Sequence, residues 1–349
     1  MSSLGIGLIG CGRIAQWVHL NALASLPDVE LVAIADLDPE RRKEAKRRAT
    51  KAIAFAHYQE LLEKTEAEAV VICLPPALHA EAVIAALQQG KHVYLEKPLA
   101  TNLDDANRIL RAWRQSGKVG MIGFNYRFNP LYRAVKHHIQ SGRLGELVSV
   151  RTVFSSPQPE MPAWKQARKT GGGVLLDLAS HHIDLLRFLF ENEICEVFAE
   201  ARSQYTEGDS VILQCRLANG LPIQSFFSIC TVEEDRIEIY GRQAKLSVDR
   251  HHSVKVEITE AVSSHSRFKR LRHGLRSLAF SPALMESLTA PGREPSYQAA
   301  LLQFVMAART GQAVSPDLYD GYRSLAVVEA AEVSTREGKV VLVSDMDKP

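Results

Sequence analysis

A lysine follows the end of a short apolar run and could act on a reacting oxygen. The stretch VYLEKPLATN, residues 93–102, places Glu96, Lys97 and Pro98 where a predicted strand stops. An ammonium group stabilises negative charge as it develops on an oxygen atom. Lysine and proline also follow strands for structural reasons alone, so the rest of the sequence decides between a chemical and a structural role.

A second segment combines acids with a histidine on one side of a predicted helix. In GGGVLLDLASHHIDLLRFL, residues 171–189, Asp177, His181 and Asp184 are spaced four and three apart, so they stack on one face. Polar groups on an otherwise apolar helix must be paired or functional. An imidazole titrates near neutral pH, which suits proton transfer, although His181 alone also fits a structural role. Asp177 and His181 could ligate a metal, but a third ligand is not evident, and no metal site is predicted.

A glycine-rich turn near the N-terminus has the spacing of a dinucleotide-binding loop. GCGRIA at 10–15 follows an apolar run and precedes a helical pattern. Gly10 permits a tight turn, Gly12 lets a pyrophosphate approach the backbone, and Ala15 permits close packing of helix and strand. The phosphates would lie at the helix N-terminus, where unpaired N–H groups favour anions. The predicted cofactor contacts in this loop are Gly10, Gly12, Arg13 and Ile14.

An acid at the end of the next strand indicates which dinucleotide binds. Asp36 lies 21 residues beyond the loop, where a carboxylate accepts hydrogen bonds from ribose hydroxyls and repels a 2′-phosphate. NAD is therefore favoured over NADP. Arg41 and Arg42 either soften this preference or lie on a solvated helix face. Ligands of open α/β sheets bind at the carboxyl ends of strands, so further cofactor contacts are predicted at Leu74, Pro75, His79, Glu96, Lys97 and Asn125.

Alternating strands and helices are predicted to position these loops. The predicted strands are 5–10, 31–36, 69–74, 92–96 and 119–124. The predicted helices between them are 13–26, 38–49, 78–89 and 103–117. Nearly continuous apolar strands alternating with helices favour a parallel sheet covered on both faces. The fold class is therefore α/β, with an N-terminal Rossmann dinucleotide-binding domain at 1–123.

The pattern changes at residue 124, where a second α/β domain is predicted to extend to residue 349. Extended runs between 196 and 259, with a hairpin signal at 218–220, predict an open, mostly antiparallel sheet. The predicted helices are 129–141, 174–190, 296–310 and 317–337, and the last of them could pack back on the first domain. The segment 261–296 shows no clear period and is interpreted as a long loop or insertion.

Composition excludes several classes of protein. The net charge is +2, so the chain has no global electrostatic feature of a nucleic-acid-binding protein. A run of about 18 apolar residues is absent, and no membrane span is predicted. The five cysteines are scattered and form no CxxC pair, which indicates neither a disulfide framework nor a zinc site. A reducing cytoplasm is the expected location.

Taken together, these motifs resemble the Gfo/Idh/MocA family, which includes glucose–fructose oxidoreductase and inositol dehydrogenase relatives. The matching segments run in family order along nearly the whole chain: 7–15, 33–41, 73–81, 96–100, 123–130, 171–186 and 320–341. The resemblance implies that Lys97, Asp177 and His181 form the catalytic group and that the Lys97–Pro98 peptide bond is cis. It also implies a homodimer or homotetramer that pairs through the C-terminal sheet.

The expected reaction is reversible oxidation of a secondary alcohol on a sugar or cyclitol, with transfer of a hydride to NAD. His181 is the candidate base, Lys97 would stabilise the developing alkoxide, and Asp177 would orient the imidazole or bind a neighbouring hydroxyl. Tyr126, Arg127 and Trp164 are further substrate candidates. Arg127 could instead form a structural ion pair, and Trp164 could either stack on a sugar or anchor its loop. Lys165 and Arg168 are expected to be surface charges.

Two other functions remain open at this stage. The basic segment 265–277 could bind a phosphorylated or nucleotide-linked sugar or an anionic membrane surface, or it could be a solvated loop. A phosphorylated or nucleotide-linked sugar, or another carbonyl compound, would make the chain a reductase or dehydrogenase of that substrate. A non-catalytic NAD-binding regulator is the alternative from another class. The presence of Lys97, Asp177 and His181 together argues against a regulator.

Overall fold

A six-stranded parallel sheet forms the first part of the molecule. The computed structural model describes residues 3–157, 160–260 and 295–343. The strands are β1 (Leu4–Ile9), β2 (Val29–Ala35), β3 (Ile53–Phe55), β4 (Ala69–Ile72), β5 (His92–Leu95) and β6 (Gly120–Ile122), in the spatial order β3-β2-β1-β4-β5-β6. This order is that of the Rossmann fold, and it confirms the predicted fold class.

Five helices cover the faces of this sheet. They are α1 (Leu20–Ser25), α2 (Pro39–Arg48), α3 (Tyr58–Lys64), α4 (His79–Gln88) and α5 (Leu103–Ser116). Asp38 caps α2 and Asn102 caps α5 by accepting hydrogen bonds from backbone N–H groups, and Gly117 ends α5 in the left-handed conformation. Helical backbone runs without a break from residue 13 to Ser25, which confirms the helix predicted at 13–26, and it includes a π-helical turn at Ala15–His19 just before α1.

An eight-stranded mixed sheet forms the second part. Its strands are β7 (Leu147–Ser155), β8 (Ile194–Arg202), β9 (Ser210–Leu217), β10 (Pro222–Ser228), β11 (Glu234–Gly241), β12 (Ala244–Asp249), β13 (Glu257–Glu260) and β14 (Val341–Leu342). The order is β13-β12-β11-β7-β10-β9-β8-β14, and every neighbouring pair is antiparallel except β7 with β10. The predicted mostly antiparallel sheet and the hairpin at 218–220 are confirmed.

Alternating burial shows that one face of this sheet packs against the protein interior. The inward residues of β10 are Ile223, Ser225 and Phe227, whereas the residues between them are exposed. Helix α7 (Ser180–Phe190) packs on the inward face, where the His182 ring meets Phe227 edge-on at 5.7 Å. A π-helical turn, Leu175–Ala179, leads into α7, and α6 (Pro130–Gln140) packs beside it.

The last two helices return to the first sheet. In α8 (Pro295–Thr310), the ring of Phe304 packs edge-on against Tyr94 of β5 at 5.7 Å. In α9 (Leu318–Glu337), Gly321 lies so close to Leu99 that an added Cβ would come within 3.0 Å of that side chain. The C-terminal part of the chain therefore covers the N-terminal sheet.

Several sequence predictions need correction or cannot be compared. The strands β3, β7 and β14 and the helix α3 were not predicted. The basic segment 265–277 and nearly all of the predicted loop 261–296 lie outside the described residues. Within the described ranges, none of the helices has both the length and the apolar character needed to cross a membrane.

Candidate active site

Lys97 and Asp177 meet between the two parts of the molecule. The lysine follows β5 at the carboxyl edge of the first sheet, and its peptide bond to Pro98 is cis, as the family resemblance implies. Its Nζ donates to Asp177 Oδ1 at 3.0 Å and to the Asp177 backbone oxygen at 2.7 Å. Residues 80 positions apart are thus brought into direct contact, as the sequence-based site requires.

A second lysine also binds Asp177, and its role was not foreseen. Lys165 Nζ donates to Asp177 Oδ2 at 2.7 Å from a short turn that precedes the helical segment carrying Asp177 and His181. The prediction that Lys165 and Arg168 are surface charges was wrong. Lys165 pairs with Asp177, and Arg168 forms an ion pair with Glu332 of α9. The turn folds its side chains inward, and a loop without periodicity gives no sequence signal for this direction.

The two ammonium groups keep Asp177 ionised. Burial alone would raise the pKa of this carboxyl group. The adjacent charges of Lys97 and Lys165, together with their hydrogen bonds, outweigh burial and hold the pKa well below its ordinary value of 3.8. Asp177 is therefore an acceptor of hydrogen bonds at neutral pH and has no proton to donate.

His181 is held as a neutral ring. Its side chain is largely buried, and its ring stacks on Tyr126 with centroids 4.6 Å apart and an interplanar angle of 22°. Burial, followed by the charge of Lys97, lowers the pKa of His181 well below 6.5. Its Nδ1 is buried and has no hydrogen-bond partner among the described residues. A neutral imidazole can accept a proton, so the ring is suited to act as a base.

Behind His181 lies a buried carboxylate that sequence reasoning missed. Asp235 accepts hydrogen bonds from the hydroxyl groups of Tyr126 at 2.7 Å and Tyr132 at 2.8 Å. It also lies 2.9 Å from His182 Nε2 and 2.6 Å from Arg250 Nε. Burial acts to raise the pKa of Asp235, but His182 and Arg250 lower it well below 3.8.

A sequence signal for Asp235 does exist. In β11 the inward positions are every second residue, and the two that follow Asp235 are Ile237 and Ile239, which are fully buried. An acid in the inward phase of an amphipathic strand must find partners inside the protein. Because the hydroxyl of Tyr126 is used by Asp235, Tyr126 supports the His181 ring rather than presenting its hydroxyl to a substrate.

Arg127 does not reach the site. Its guanidinium lies 2.8 Å and 2.5 Å from the two carboxylate oxygens of Asp184, and 3.0 Å from Asp320 of α9. The structural ion pair, which was the alternative considered, is the arrangement observed. Asp184 shares a helical face with His181 in the sequence pattern, but its side chain is committed to Arg127.

The glycine-rich loop has the shape that a dinucleotide needs. Gly10 has φ of +88°, and a Cβ there would lie 2.7 Å from the carbonyl oxygen of Cys73. A Cβ at Gly12 would meet nothing within 4 Å, so this glycine faces open space. The Cys11 N–H donates to Asp36 Oδ2 at 2.7 Å, which places the carboxylate beside the loop. The residues present therefore fit the pyrophosphate and ribose of NAD.

Other predicted cofactor contacts lie around this loop. Arg13 is exposed and stacks over the ring of Trp17 at 3.9 Å. Ile14, Leu74 and Pro75 are partly buried at the same edge of the sheet.

Two predicted cofactor contacts are instead buried behind the loops. The ring nitrogens of His79 lie 2.8 Å from the carbonyl oxygens of Leu74 and Pro98, and the side chain is fully buried. Glu96 is also buried and lies 2.6 Å from His19 Nε2. His79 therefore links the loops after β4 and β5, and Glu96 anchors the strand end that carries the lysine.

Asn125 and Trp164 occupy the borders of the site. Asn125 is buried, and its Nδ2 donates to Ser296 Oγ of α8 at 2.9 Å. Trp164 is partly buried, and its ring centroid lies 5.5 Å from Lys165 Nζ. Its backbone oxygen accepts a hydrogen bond from Thr170 at 2.7 Å. Trp164 thus lies next to the lysine that binds Asp177.

Comparison with known proteins agrees with this architecture. Residues 4–124 match the model of an oxidoreductase family with an NAD-binding Rossmann fold, and residues 132–247 match the GFO/IDH/MocA C-terminal domain. The chain is 27% identical to myo-inositol 2-dehydrogenase of Thermotoga maritima, over 98% of this chain and 99% of the relative. It is 28% identical to dTDP-3,4-didehydro-2,6-dideoxy-alpha-D-glucose 3-reductase of Saccharopolyspora spinosa, over 70% of this chain and 74% of the relative.

A solved structure shows the same fold over the full length. Levoglucosan dehydrogenase in complex with NADH and levoglucosan superposes with a TM-score of 0.86 at 25% identity, covering 99% of this chain and all of the other. The two family models together span the whole first sheet and the strands β7 to β11 of the second, with most of β12. The chain belongs to the Gfo/Idh/MocA family of NAD-dependent oxidoreductases.

Proposed function

We propose that the protein reversibly oxidises a secondary alcohol of a sugar or cyclitol, using Lys97, Asp177 and His181. The observation that carries the proposal is the contact of Lys97 with Asp177 at the carboxyl edge of the sheet that holds the dinucleotide loop, with His181 one helical turn beyond Asp177. The similarity to an inositol dehydrogenase and to a levoglucosan dehydrogenase supports the substrate class.

The cofactor would be held by the loop at Gly10 and Gly12 and by Asp36. Bound NAD supplies the acceptor for the hydride that leaves the carbinol carbon. Asp36 accepts N–H bonds from Cys11 and Asp38 through different oxygens, so its carboxylate is fixed beside the space that Gly12 leaves open. This fixed negative charge disfavours a 2′-phosphate and supports a preference for NAD.

Three side chains of the protein have separate roles in removing the hydroxyl proton. Burial and the charge of Lys97 lower the pKa of His181, so its ring is neutral at pH 7. The neutral ring has a free nitrogen and accepts the hydroxyl proton. Lys97 donates a hydrogen bond to the same oxygen and stabilises its negative charge. Asp177 stays ionised and holds the ammonium of Lys97 in place through its side chain and its backbone oxygen.

A second candidate is reduction of a nucleotide-linked keto sugar. The 28% identity to the dTDP-sugar 3-reductase favours it, since the same lysine and histidine can donate a hydrogen bond and a proton in the reverse direction. Identification of the product separates the two candidates.

The exposed face of the second sheet supports a homodimer or homotetramer. Phe226 lies opposite Ile212 on one neighbouring strand and opposite Val153 on the other, which forms an apolar row across three strands. Ile212 is 46% exposed and Phe226 is 37% exposed, and an apolar row of this kind is typical of a surface that a second subunit covers. We also propose a cytoplasmic location, because all five cysteines are free thiols.

The decisive experiment compares wild type with Lys97→Ala. Binding of NADH and NADPH is measured first, followed by turnover of a panel of inositols and sugars with NAD and of keto sugars with NADH. We expect kcat/KM to fall by a factor of about 10²–10⁴ while the Kd for NADH changes by less than about threefold. Lys64→Ala, which changes an exposed lysine on α3, is the matched control.

Three outcomes are informative. Turnover that depends on Lys97 supports the proposed function. Full activity of Lys97→Ala contradicts the assigned role of the lysine. Tight NADH binding without turnover of any alcohol or keto sugar would favour a regulator that binds NAD.

A further inference from the structure

The proposed site contains one more positive charge than its mechanism needs. Asp177 is shared by two ammonium groups, with Lys97 on Oδ1 at 3.0 Å and Lys165 on Oδ2 at 2.7 Å. His181 is neutral, because its pKa lies well below 6.5. Two positive charges and one negative charge leave the group of these three side chains at a net charge of +1.

The neighbouring charges that the structure describes do not cancel this excess. The other charged groups that act on His181 are Arg250 and Asp235, which lie 2.6 Å apart and balance each other. Glu96, the acid next to the catalytic lysine, is buried against His19. Among the described residues, the group therefore keeps its excess positive charge, and Lys165 is the member that the proposed mechanism does not use.

Lys165 is also placed where it can meet a substrate. Its side chain is 24% exposed, whereas that of Lys97 is 14% exposed. An ammonium has three N–H donors, and Asp177 Oδ2 accepts one of them. The ring of Trp164 lies beside the same ammonium at 5.5 Å, which offers an apolar surface next to the charge.

We propose that the substrate is a sugar acid and that Lys165 binds its carboxylate. This inference rests on the proposed function, because it names the substrate class of the same site. A carboxylate carries one negative charge and neutralises the excess, whereas a phosphate would add nearly two. Lys165 thus acts as a specificity residue that distinguishes a sugar acid from the corresponding neutral sugar.

The test uses matched pairs of substrates in which a carboxylate of the acid replaces a hydroxymethyl group of the neutral partner. Glucuronate with glucose, galacturonate with galactose, and gluconate with glucitol are assayed with NAD on wild type, Lys165→Gln and Lys165→Arg. Lys169→Gln is the control, since it removes an exposed lysine four residues further along the same segment. The measured quantity is the ratio of kcat/KM for the acid to kcat/KM for its neutral partner.

We expect wild type to favour the acid by about tenfold or more, the factor that a hydrogen bond to a charged group contributes. Lys165→Gln should bring the ratio close to one, mainly by raising KM for the acid. Lys165→Arg should retain most of the preference, and Lys169→Gln should retain all of it.

Two results overturn the inference and are distinguishable from each other. In the first, neutral sugars are oxidised in a Lys97-dependent reaction, and either acids are not preferred or Lys165→Gln lowers kcat/KM equally for both members of a pair. Lys165 then only holds Asp177, and the proposed function stands. If wild type binds NADH but oxidises neither member of any pair, and neither oxidises an alcohol nor reduces a keto sugar of the wider panel, the proposed function fails and the inference fails with it.

Discussion

Replacing Asp235 with asparagine removes a buried charge that four side chains share. Its oxygens lie within 2.9 Å of Tyr126, Tyr132, His182 and Arg250. Hydrogen bonds to a charged group contribute about 1.5–3 kcal/mol each, but an asparagine oxygen keeps some of them, and the contributions are not additive. Removing one partner of a buried ion pair costs about 3–5 kcal/mol, and we expect Asp235→Asn to lower the free energy of unfolding by about this amount at pH 7.

Urea unfolding followed by circular dichroism measures this loss. Glu234→Gln, on the outward face of the same strand, is the control and should change the free energy of unfolding by less than about 1 kcal/mol. The folded-state pKa of Asp235 lies below the ordinary value of 3.8, so its contribution is present above that pH and disappears as the pH falls further. The difference between wild type and Asp235→Asn should therefore shrink below about pH 4.

Catalysis provides a second measurement on the same variant. Tyr126 connects Asp235 to the ring of His181, so kcat should fall while the Kd for NADH stays nearly constant. If the free energy of unfolding of Asp235→Asn lies within about 1 kcal/mol of the wild-type value at pH 7, the role given to this carboxylate is refuted.

Two further predictions concern the cofactor loop and the base. Gly12→Val should weaken NADH binding at least about tenfold, because its side chain would fill space that the structure leaves open, while thermal unfolding stays nearly unchanged. Isothermal titration calorimetry checks the affinity, and unchanged affinity would contradict the placement of the pyrophosphate. For oxidation, the acid limb of kcat/KM should lie below pH 6.5, because burial and Lys97 lower the pKa of His181. An acid limb centred above 6.5 would contradict this assignment of the base.

The Rossmann domain could be predicted from the sequence because the patterns that mark it are local. Each long strand is a continuous apolar run, and the glycine loop has fixed spacing. The strand β3 (Ile53–Phe55) has three residues and is largely exposed, so it lacks the apolar run that marks the other strands. By contrast, β7 (Leu147–Ser155) alternates buried and exposed residues and could have been predicted.

The candidate site was predicted where a helical period or a motif links its members. Asp177 and His181 share one helical segment, and Lys97 lies in a motif of the family. Lys165 lies on an irregular turn, and the direction of its side chain depends on how the segment folds over α7. Arg127 could not be assigned from its neighbours, because its partners Asp184 and Asp320 come from distant parts of the chain.

The return of α8 to the first sheet has a consequence for the order of folding. Leu301 and Phe304 belong to the same apolar cluster as Ile6, Leu8 and Tyr94 of the first sheet. During synthesis this face of the sheet stays exposed to water until nearly the whole chain has left the ribosome. The N-terminal domain therefore completes its core only after the second domain has been made, and a chain shortened before residue 295 would present an apolar surface prone to aggregation.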